Sequence, residues 1–154
     1  DYSSAGTDNE AKENFELQQV ISDIITLLHV PPHITIVVQE NLPVVCGNKV
    51  KIQQLFQNLV SNAIRYIDKP EGFIEIGFEE RPKEYVFKVK DNGIGIPEEY
   101  HKKIFKIFES LSDHKDSTGI GLSIVKKIVD LHNGRIWLDS TVGEGTTFYF
   151  TLKK

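Results

Sequence analysis

Three polar residues recur at helical spacing in the middle of the chain. Asn58, Asn62 and Arg65 stand at positions i, i+4 and i+7, so a helix places them on one narrow stripe beside its apolar face. An amide oxygen can face a hard cation such as Mg²⁺, and an Arg guanidinium can face phosphate. Taken alone, the stripe favours a plainer interpretation, in which two Asn residues solvate the edge of a helix. Asn is a poor helix former, however, so two of them on one stripe also suit a binding role.

Two glycine-containing segments carry a second chemical signal. Residues 91–95 (DNGIG) follow a predicted strand, where the carboxylate could accept a hydrogen bond from an exocyclic amine and the glycines could leave room for a flat ring such as adenine. Residues 119–121 (GIG) come before a predicted helix, where free N–H groups and the helix dipole favour phosphate. Each segment alone also fits an ordinary turn or a packing glycine. Neither matches the P-loop or the GxGxxG pattern of dinucleotide-binding proteins.

The hydrophobic pattern predicts the elements that must position these residues. Apolar residues at helical spacing predict helices at 16–29, 97–105 and 122–131, and one from an N-cap at Asn48 to about Ile67. Alternating or β-branched stretches predict strands at 34–38, 44–46, 73–80, 85–90, 135–140 and 146–152. The central helix is expected to bury one side, made of Ile52, Leu55, Phe56, Leu59, Val60 and Ala63. This order predicts an α/β fold with helices packed on one face of a mixed sheet.

Composition narrows the class of protein. The 154 residues, of which 40% are hydrophobic and 26% charged, suit one globular domain. The net charge of −4, with Lys and Arg scattered among acidic residues, argues against nucleic acid as a partner. Cys46 is the single cysteine, which excludes an internal disulfide, and no apolar run is long enough to span a membrane. We therefore expect a cytoplasmic setting without direct membrane contact.

The N-terminal stretch indicates that the chain was cut from a longer protein. The sequence contains no methionine, even at position 1, so we interpret it as a fragment. Residues 1–14 are polar and without period, which predicts a linker or the end of an upstream element, and residues 15–154 form the predicted domain. Whether the full-length protein is anchored in a membrane stays open.

Five segments occur together and in one order along the chain: 58–66 (NLVSNAIRY), 91–97 (DNGIGIP), 104–108 (IFKIF), 118–125 (TGIGLSIV) and 143–148 (GEGTTF). Together they resemble the N, G1, F, G2 and closing Gly-Thr boxes of sensor histidine kinases, over a stretch from about Phe15 to the C-terminus. The resemblance implies the Bergerat ATP-binding fold, shared with gyrase, Hsp90 and MutL, which is a two-layer α/β sandwich. It also implies that ATP and Mg²⁺ bind in a cleft between the Asn58–Asn62 helix and the 91–95 loop.

The resemblance implies a role for each matching residue on the central helix. Asn62 would be the magnesium ligand, with Asn58 beside it as a second ligand. Arg65 would contact phosphate from a position where the family usually has Lys. Tyr66 would lie near the nucleotide.

On the adenine side, the resemblance implies that Asp91 binds the amino group of the base. Gly93 and Gly95 would shape the pocket, and Thr147 would support Asp91 through its hydroxyl or a bridging water. Ile96 and Leu122 would be further nucleotide-contacting residues.

The remaining implied contacts belong to a lid at 109–118 and to the phosphates. Phe105 and Phe108 would anchor the base of the lid, and Lys115 would close from it onto the terminal phosphate, unless it is a solvated loop residue. Gly119 and Gly121 would meet the phosphates.

Asn58 also bears on the reaction, because hydrolysing relatives carry a general-base Glu one helical turn before the metal-binding Asn. The resemblance therefore implies transfer of the γ-phosphoryl group of ATP to a histidine on a separate dimerisation hairpin. None of the five histidines lies in the family's His-Glu/Asp acceptor sequence, so we expect the acceptor upstream, with residues 1–14 as the tail of that hairpin.

Other implied partners are a response regulator and, for the full-length protein, a second copy, while the fragment is expected to be monomeric. Two alternatives stay open: a degenerate kinase module that senses ATP without phosphotransfer, and a GHKL ATPase.

Overall fold

A computed structural model describes residues 12–101, 104 and 117–154, with the side chains of the last stretch described from residue 122 onwards. The strands are β1 (Lys12–Glu16), β2 (Ile34–Val38), β3 (Val44–Asn48), β4 (Gly72–Glu80), β5 (Glu84–Asp91), β6 (Ile136–Thr141) and β7 (Gly145–Lys153). The helices are α1 (Leu17–Leu28), α2 (Lys49–Tyr66) and α3 (Ser117–Leu131), with a turn of 3-10 helix at Glu98–Tyr100. No helix within these ranges is long and apolar enough to cross a membrane.

Five strands form the main sheet, in the order β2-β4-β5-β7-β6. β2 runs parallel to β4, whereas the other neighbouring pairs are antiparallel, so the sheet is mixed. The helices pack on one face of this sheet, and the predicted two-layer α/β sandwich is confirmed. β1 and β3 form a separate antiparallel pair that the sequence analysis did not predict.

The centre of the core is an aromatic contact between α2 and the middle strands. Phe56 of α2 makes edge contacts with Phe87 of β5 and Phe150 of β7, at ring-centroid distances of 5.9 and 5.2 Å. Phe87 and Phe150 stack on each other at 5.4 Å, and all three side chains are fully buried. Such pairs contribute about 0.5–1.5 kcal/mol beyond the area that they bury. The predicted buried side of α2 is confirmed in full: Ile52, Leu55, Phe56, Leu59, Val60 and Ala63.

β1 lies in the segment that the sequence analysis assigned to a linker. Its five residues pair with β3, from Lys12 opposite Asn48 to Glu16 opposite Val44. Phe15 is the one buried residue of this strand, and its neighbours are polar and exposed. A strand with a single buried residue has no hydrophobic period that a sequence pattern can reveal. Residues 12–14, which the sequence assigned to the linker, therefore lie in a paired strand.

α3 begins at Ser117, ahead of the start predicted at residue 122. Glycine is less favourable than alanine in a helix by about 1 kcal/mol, which is why the pattern left residues 119–121 outside. Leu122, Val125 and Val129 are buried, and α3 packs on α2 and on β7. Tertiary packing of this kind outweighs the local preference of the two glycines. The predicted helix at 97–105 begins instead with the 3-10 turn, and residue 105 lies outside the described residues.

α2 starts at a capped N-terminus that also contacts the end of α3. Oδ1 of Asn48 accepts a hydrogen bond from the Lys51 N–H at 3.1 Å, which is the predicted cap. The backbone N–H of Asn48 donates to Nε2 of buried His132 at 3.2 Å, and Nδ1 of that ring lies 2.9 Å from the carbonyl oxygen of Ile128. Because Nε2 accepts, Nδ1 carries the proton and donates, so the ring is neutral. His132 therefore joins the end of α3 to the start of α2.

Replacement of Asn48 by alanine removes the acceptor that caps α2. We expect Asn48→Ala to lower the free energy of unfolding by about 1 kcal/mol, measured by urea denaturation. Asn48→Ser is the matched control, because a serine hydroxyl can still accept the Lys51 N–H and the backbone can still donate to His132. Equal losses of stability in the two variants would contradict the capping role.

Candidate functional site

Asn58 and Asn62 lie one turn apart on α2, and both are half-buried. Nδ2 of Asn58 and Oδ1 of Asn62 are shielded from solvent and have no hydrogen-bond partner among the described residues. A buried polar atom without a partner costs about 1–3 kcal/mol, so folded proteins rarely retain one without a reason. One donor and one acceptor left in this state on the same stripe suit a bound ligand that carries polar groups of both kinds.

The last turn of α2 connects this stripe to the glycine loop. Arg65 is exposed there and faces the negative end of the helix dipole, while Tyr66 is half-buried. The carbonyl oxygen of Tyr66 accepts a hydrogen bond from the N–H of Ile94 at 3.0 Å. The structure therefore brings the helix and the 91–95 loop into direct contact, although they lie far apart in the sequence.

Asp91 is the last residue of β5, in the middle of the sheet, and only 8% of its surface is exposed. Its Oδ1 atom accepts hydrogen bonds from the backbone N–H groups of Gly93 at 2.8 Å and Thr146 at 3.3 Å. Both bonds end on the same oxygen, and within the described part of the chain Oδ2 receives none. The carboxylate is thus held in one orientation, in which Oδ2 can accept a further hydrogen bond.

The charge of Asp91 is unfavourable where it lies. Burial raises the pKa of this carboxyl above its ordinary 3.8, because the charged form loses its hydration. The N–H groups of Gly93 and Thr146 and the ammonium of Lys69 oppose the rise in pKa without cancelling it. A buried carboxyl with a perturbed pKa is typical of a functional site, and so are buried polar atoms that lack partners among the described residues.

The loop glycines are required by neighbouring backbone. A Cβ atom on Gly93 would lie 2.5 Å from the carbonyl oxygen of Tyr66. Gly95 has a φ of +80°, and a Cβ there would overlap the carbonyl oxygen of Thr141. The sequence analysis expected these glycines to leave room for a ligand ring. In the structure, the room left by their missing side chains is taken by α2 and by the turn between β6 and β7.

Lys69 is a site residue that the sequence analysis missed. Its Nζ atom donates to the carbonyl oxygens of Asn92 at 2.7 Å and Gly93 at 3.1 Å. The side chain of Asn92 in turn accepts from the Phe73 N–H at 2.8 Å and donates to the Glu71 carbonyl at 3.1 Å. These partners lie about twenty residues apart in the sequence, and backbone carbonyls carry no sequence signal. Only an excess of polar residues in 67–71 could have hinted at such contacts.

Thr146, and not Thr147, is the threonine that contacts Asp91. In the antiparallel register Thr146 pairs with Asp91, whereas Thr147 pairs with Lys90 and Asp139. Directly opposed residues share one face of a sheet, and successive residues alternate between faces, so Thr147 points away from Asp91. The predicted support from Thr147 is therefore wrong by one position, and the donor is a backbone N–H.

The hydroxyl of Thr146 belongs to a second polar contact, centred on Ser140. The two hydroxyl oxygens lie 2.7 Å apart. Oγ of Ser140 accepts from the Ile96 N–H at 2.7 Å and donates to the carbonyl oxygen of Gly145 at 2.9 Å. Through Ile96, which is partly buried against the core, β6 and β7 hold the far end of the glycine loop.

Some of the other predicted site residues lie in or near α3, and the rest lie outside the described residues. Leu122 is buried in the core, and Gly119 and Gly121 lie inside the first turns of α3 instead of before it. The first four N–H groups of a helix have no acceptor within it, so the one at Gly119 still suits phosphate, whereas the one at Gly121 is beyond this set. Phe105, Phe108 and Lys115 lie outside the described residues.

Comparison with known proteins places this chain in a family. The family model of histidine kinase-, DNA gyrase B- and HSP90-like ATPases matches residues 47–154. Cyanobacterial phytochrome B from a Nostoc species is 40% identical over 159 residues, which cover 99% of this chain and 21% of the relative.

Among solved structures, the catalytic domain of histidine kinase ThkA is 31% identical, with a TM-score of 0.76 over 93% of this chain and 95% of that one. The structure of ThkA in complex with a response regulator protein is matched over 93% of this chain and 42% of that one, with 29% identity and a TM-score of 0.74. The chain therefore belongs to the family of histidine kinase-, DNA gyrase B- and HSP90-like ATPases, as the ATP-binding catalytic domain of a histidine kinase.

Proposed function

We propose that this domain binds ATP together with Mg²⁺ between α2 and the 91–95 loop, and transfers the γ-phosphoryl group to a histidine on a separate dimerisation hairpin. The observation that carries the proposal is the pair of buried polar atoms on α2, Nδ2 of Asn58 and Oδ1 of Asn62, which lack partners within the described ranges. The chain spans about a fifth of its phytochrome relative, and the hairpin is proposed to lie outside this domain.

The donor set on α2 fits a magnesium site. Mg²⁺ takes hard oxygen ligands and keeps only one or two from protein, with phosphate and water as the rest. Oδ1 of Asn62 is such an oxygen. In Asn58, the expected second ligand, the buried atom without a partner among the described residues is the amide nitrogen, which donates and does not bind a cation. Asn58 is therefore proposed to donate to a phosphate oxygen instead of binding the metal. When bound, Mg²⁺ would supply positive charge that offsets the negative charge on the phosphate oxygens during the transfer. Arg65, at the end of the same stripe, is proposed to contact phosphate.

The absence of a base at position 58 favours transfer over hydrolysis. A water molecule becomes an effective nucleophile when a carboxylate accepts its proton, and the neutral amide of Asn58 cannot do so. Transfer to a histidine requires no such base, since the imidazole nitrogen is itself the nucleophile. The domain then contributes positioning and electrostatic stabilisation.

Asp91 is proposed to recognise adenine. Its Oδ1 is occupied by two backbone N–H groups, and Oδ2 is the acceptor for the exocyclic amino group of the base. Guanine has a carbonyl oxygen at that position. This oxygen and Oδ2 of Asp91 are both acceptors, so they would repel each other. The site is therefore expected to prefer ATP to GTP, because a mismatched base leaves buried polar groups unpaired.

Phosphotransfer in trans tests the proposal as a whole. The domain, mixed with the separately produced hairpin of its own full-length protein and γ-labelled ATP, is expected to give acid-labile phosphohistidine on the hairpin. A response regulator is the proposed next acceptor, by likeness to the ThkA complex. Saturation with Mg-ATP and no transfer would favour a nucleotide-sensing module, and rapid steady hydrolysis by the domain alone would favour an ATPase.

Asn62→Ala tests the metal ligand. We expect this variant to lose ATP affinity by at least about tenfold in the presence of Mg²⁺ and to lose little in EDTA, measured by calorimetry. Removal of an unpartnered buried oxygen should leave the free energy of unfolding unchanged or slightly higher. Gln54→Ala, at an exposed position of the same helix, is the matched control. A loss of affinity that is equal with and without Mg²⁺ would remove Asn62 from the metal site.

Asp91→Asn tests the energetic cost of the carboxylate. Because the folded-state pKa of Asp91 lies above its ordinary 3.8, ionisation lowers the free energy of unfolding as the pH rises from 3.8 through the folded-state pKa. An amide does not ionise, so at neutral pH the variant should unfold with an equal or higher free energy than the native domain. Urea denaturation should show this advantage disappear below pH 3.8.

The same variant tests adenine recognition. If the amide oxygen keeps the bonds to Gly93 and Thr146, its Nδ2 takes the place of Oδ2 and donates where the carboxylate accepted. ATP affinity should fall by at least about tenfold, and the preference for ATP over GTP should shrink or reverse. Asp139→Asn, an exposed acidic position on β6, is the control. Unchanged ATP binding in Asp91→Asn would overturn the adenine assignment.

A further inference from the structure

Lys69 is the third residue after the end of α2. Oxygen atoms surround its ammonium group. Its Nζ atom donates to the carbonyl oxygens of Asn92 at 2.7 Å and Gly93 at 3.1 Å, and Oδ1 of Asp68 lies 3.5 Å away. A lysine ammonium has three N–H donors, so these acceptors can use all of them. The side chain is 34% exposed, and its charged end is directed into the loop instead of into solvent.

The peptide group between Asn92 and Gly93 is held from both sides by charged groups. Its N–H donates to the Asp91 carboxylate at 2.8 Å, and its C=O accepts from Lys69 at 2.7 Å. The positive end of the peptide dipole therefore faces an anion and the negative end faces a cation. In the flipped orientation the carbonyl oxygen would face the Asp91 carboxylate, and both interactions would become repulsive. Glycine has little backbone preference of its own, so the charges decide this orientation.

We propose that Lys69 is a positioning residue of the ATP site, which orients the peptide group between Asn92 and Gly93 and thereby the Asp91 carboxylate that binds adenine. The inference rests on the proposed adenine contact of Asp91. Lys69 acts through the loop backbone, so its effect reaches the nucleotide by way of Asp91 alone. An arginine, which keeps the charge and several donors, should replace it better than an uncharged residue.

Electrostatics supports the same assignment. Burial raises the pKa of Asp91, and Lys69 is the charged side chain that opposes this rise. Glu75 of β4 and Lys90 of β5 pair with each other on the opposite face of the sheet, and with Glu144 before β7 they line a cavity of about 400 Å³ that Asp91 and Asn92 also border. Without the Lys69 charge, Asp91 would accept a proton at higher pH, and a protonated carboxyl would offer adenine one acceptor fewer.

The test compares three substitutions at position 69 in the whole domain, by calorimetric titration with Mg-ATP from acid to neutral pH. Lys69→Met removes the charge and the donors, and should lower the affinity on the order of tenfold and move the acid limb of ATP binding to higher pH. Lys69→Gln keeps hydrogen-bond donors but removes the charge. It should move the acid limb of ATP binding to higher pH, and should lower the ATP affinity at neutral pH less than Lys69→Met does. Lys69→Arg should stay close to the native domain in both respects.

Two controls separate this inference from a structural effect. Lys83→Met makes the same exchange at an exposed position in the β4–β5 turn and should change nothing. Hydrogen exchange of the Gly93 amide should be faster in Lys69→Met than in Lys69→Arg, a readout that does not depend on nucleotide. A loss of affinity with the same factor at every pH, or a Met variant that matches the native domain in affinity and exchange, would overturn the role of Lys69. If Asp91→Asn leaves ATP binding intact, the proposed function fails instead, whatever the position 69 variants do.

Discussion

The position of α2 over the sheet depends on the contact of Phe56 with Phe87 and Phe150. The three rings fill the centre of the core, and two of them come from the middle strands β5 and β7. Since the apolar side of α2 must cover these rings, the rotation of the helix about its own axis is set. Asn58 and Asn62 then fall at the margin of the core, where they are half-buried. Packing in the core thus determines where the polar stripe can bind a ligand.

The fold buries polar atoms of three side chains at an energetic cost. The Asp91 carboxylate is buried against its own hydration, and an atom each of Asn58 and Asn62 lacks a partner among the described residues. Elsewhere the buried polar side chains of Asn48 and His132 have their hydrogen bonds within the protein. A folded domain tolerates a few kcal/mol of unfavourable burial at one place when its core is otherwise well packed. That contrast is a physical ground for proposing a ligand site at these three residues, without reference to any relative.

Sequence patterns predicted the elements in which one hydrophobic period extends over many residues. They did not predict contacts that depend on a shift of one residue in a strand, or on backbone groups that are distant in the sequence. The buried side of α2 repeats from Ile52 to Ala63, over about three turns, so each position is supported by its neighbours. The shift from Thr147 to Thr146 is a single residue, yet in a strand it changes the face of the sheet. Lys69 contacts carbonyl oxygens, which every residue possesses, so nothing in its surroundings in the chain distinguishes it.

Side-chain types and their spacing were enough to predict the family, the α/β class, the central helix with its buried side and polar stripe, and an acidic residue at the start of a glycine loop. These features are local, because side-chain type and spacing are properties of a short stretch of chain. The folded structure was needed to show that β1 pairs with β3, that the Thr146 N–H donates to Asp91, that the loop glycines make room for backbone, and that Lys69 donates to the loop carbonyls. Each of these depends on the distance between segments that are remote in sequence, and that distance exists only once the strands have paired and α2 has packed on them.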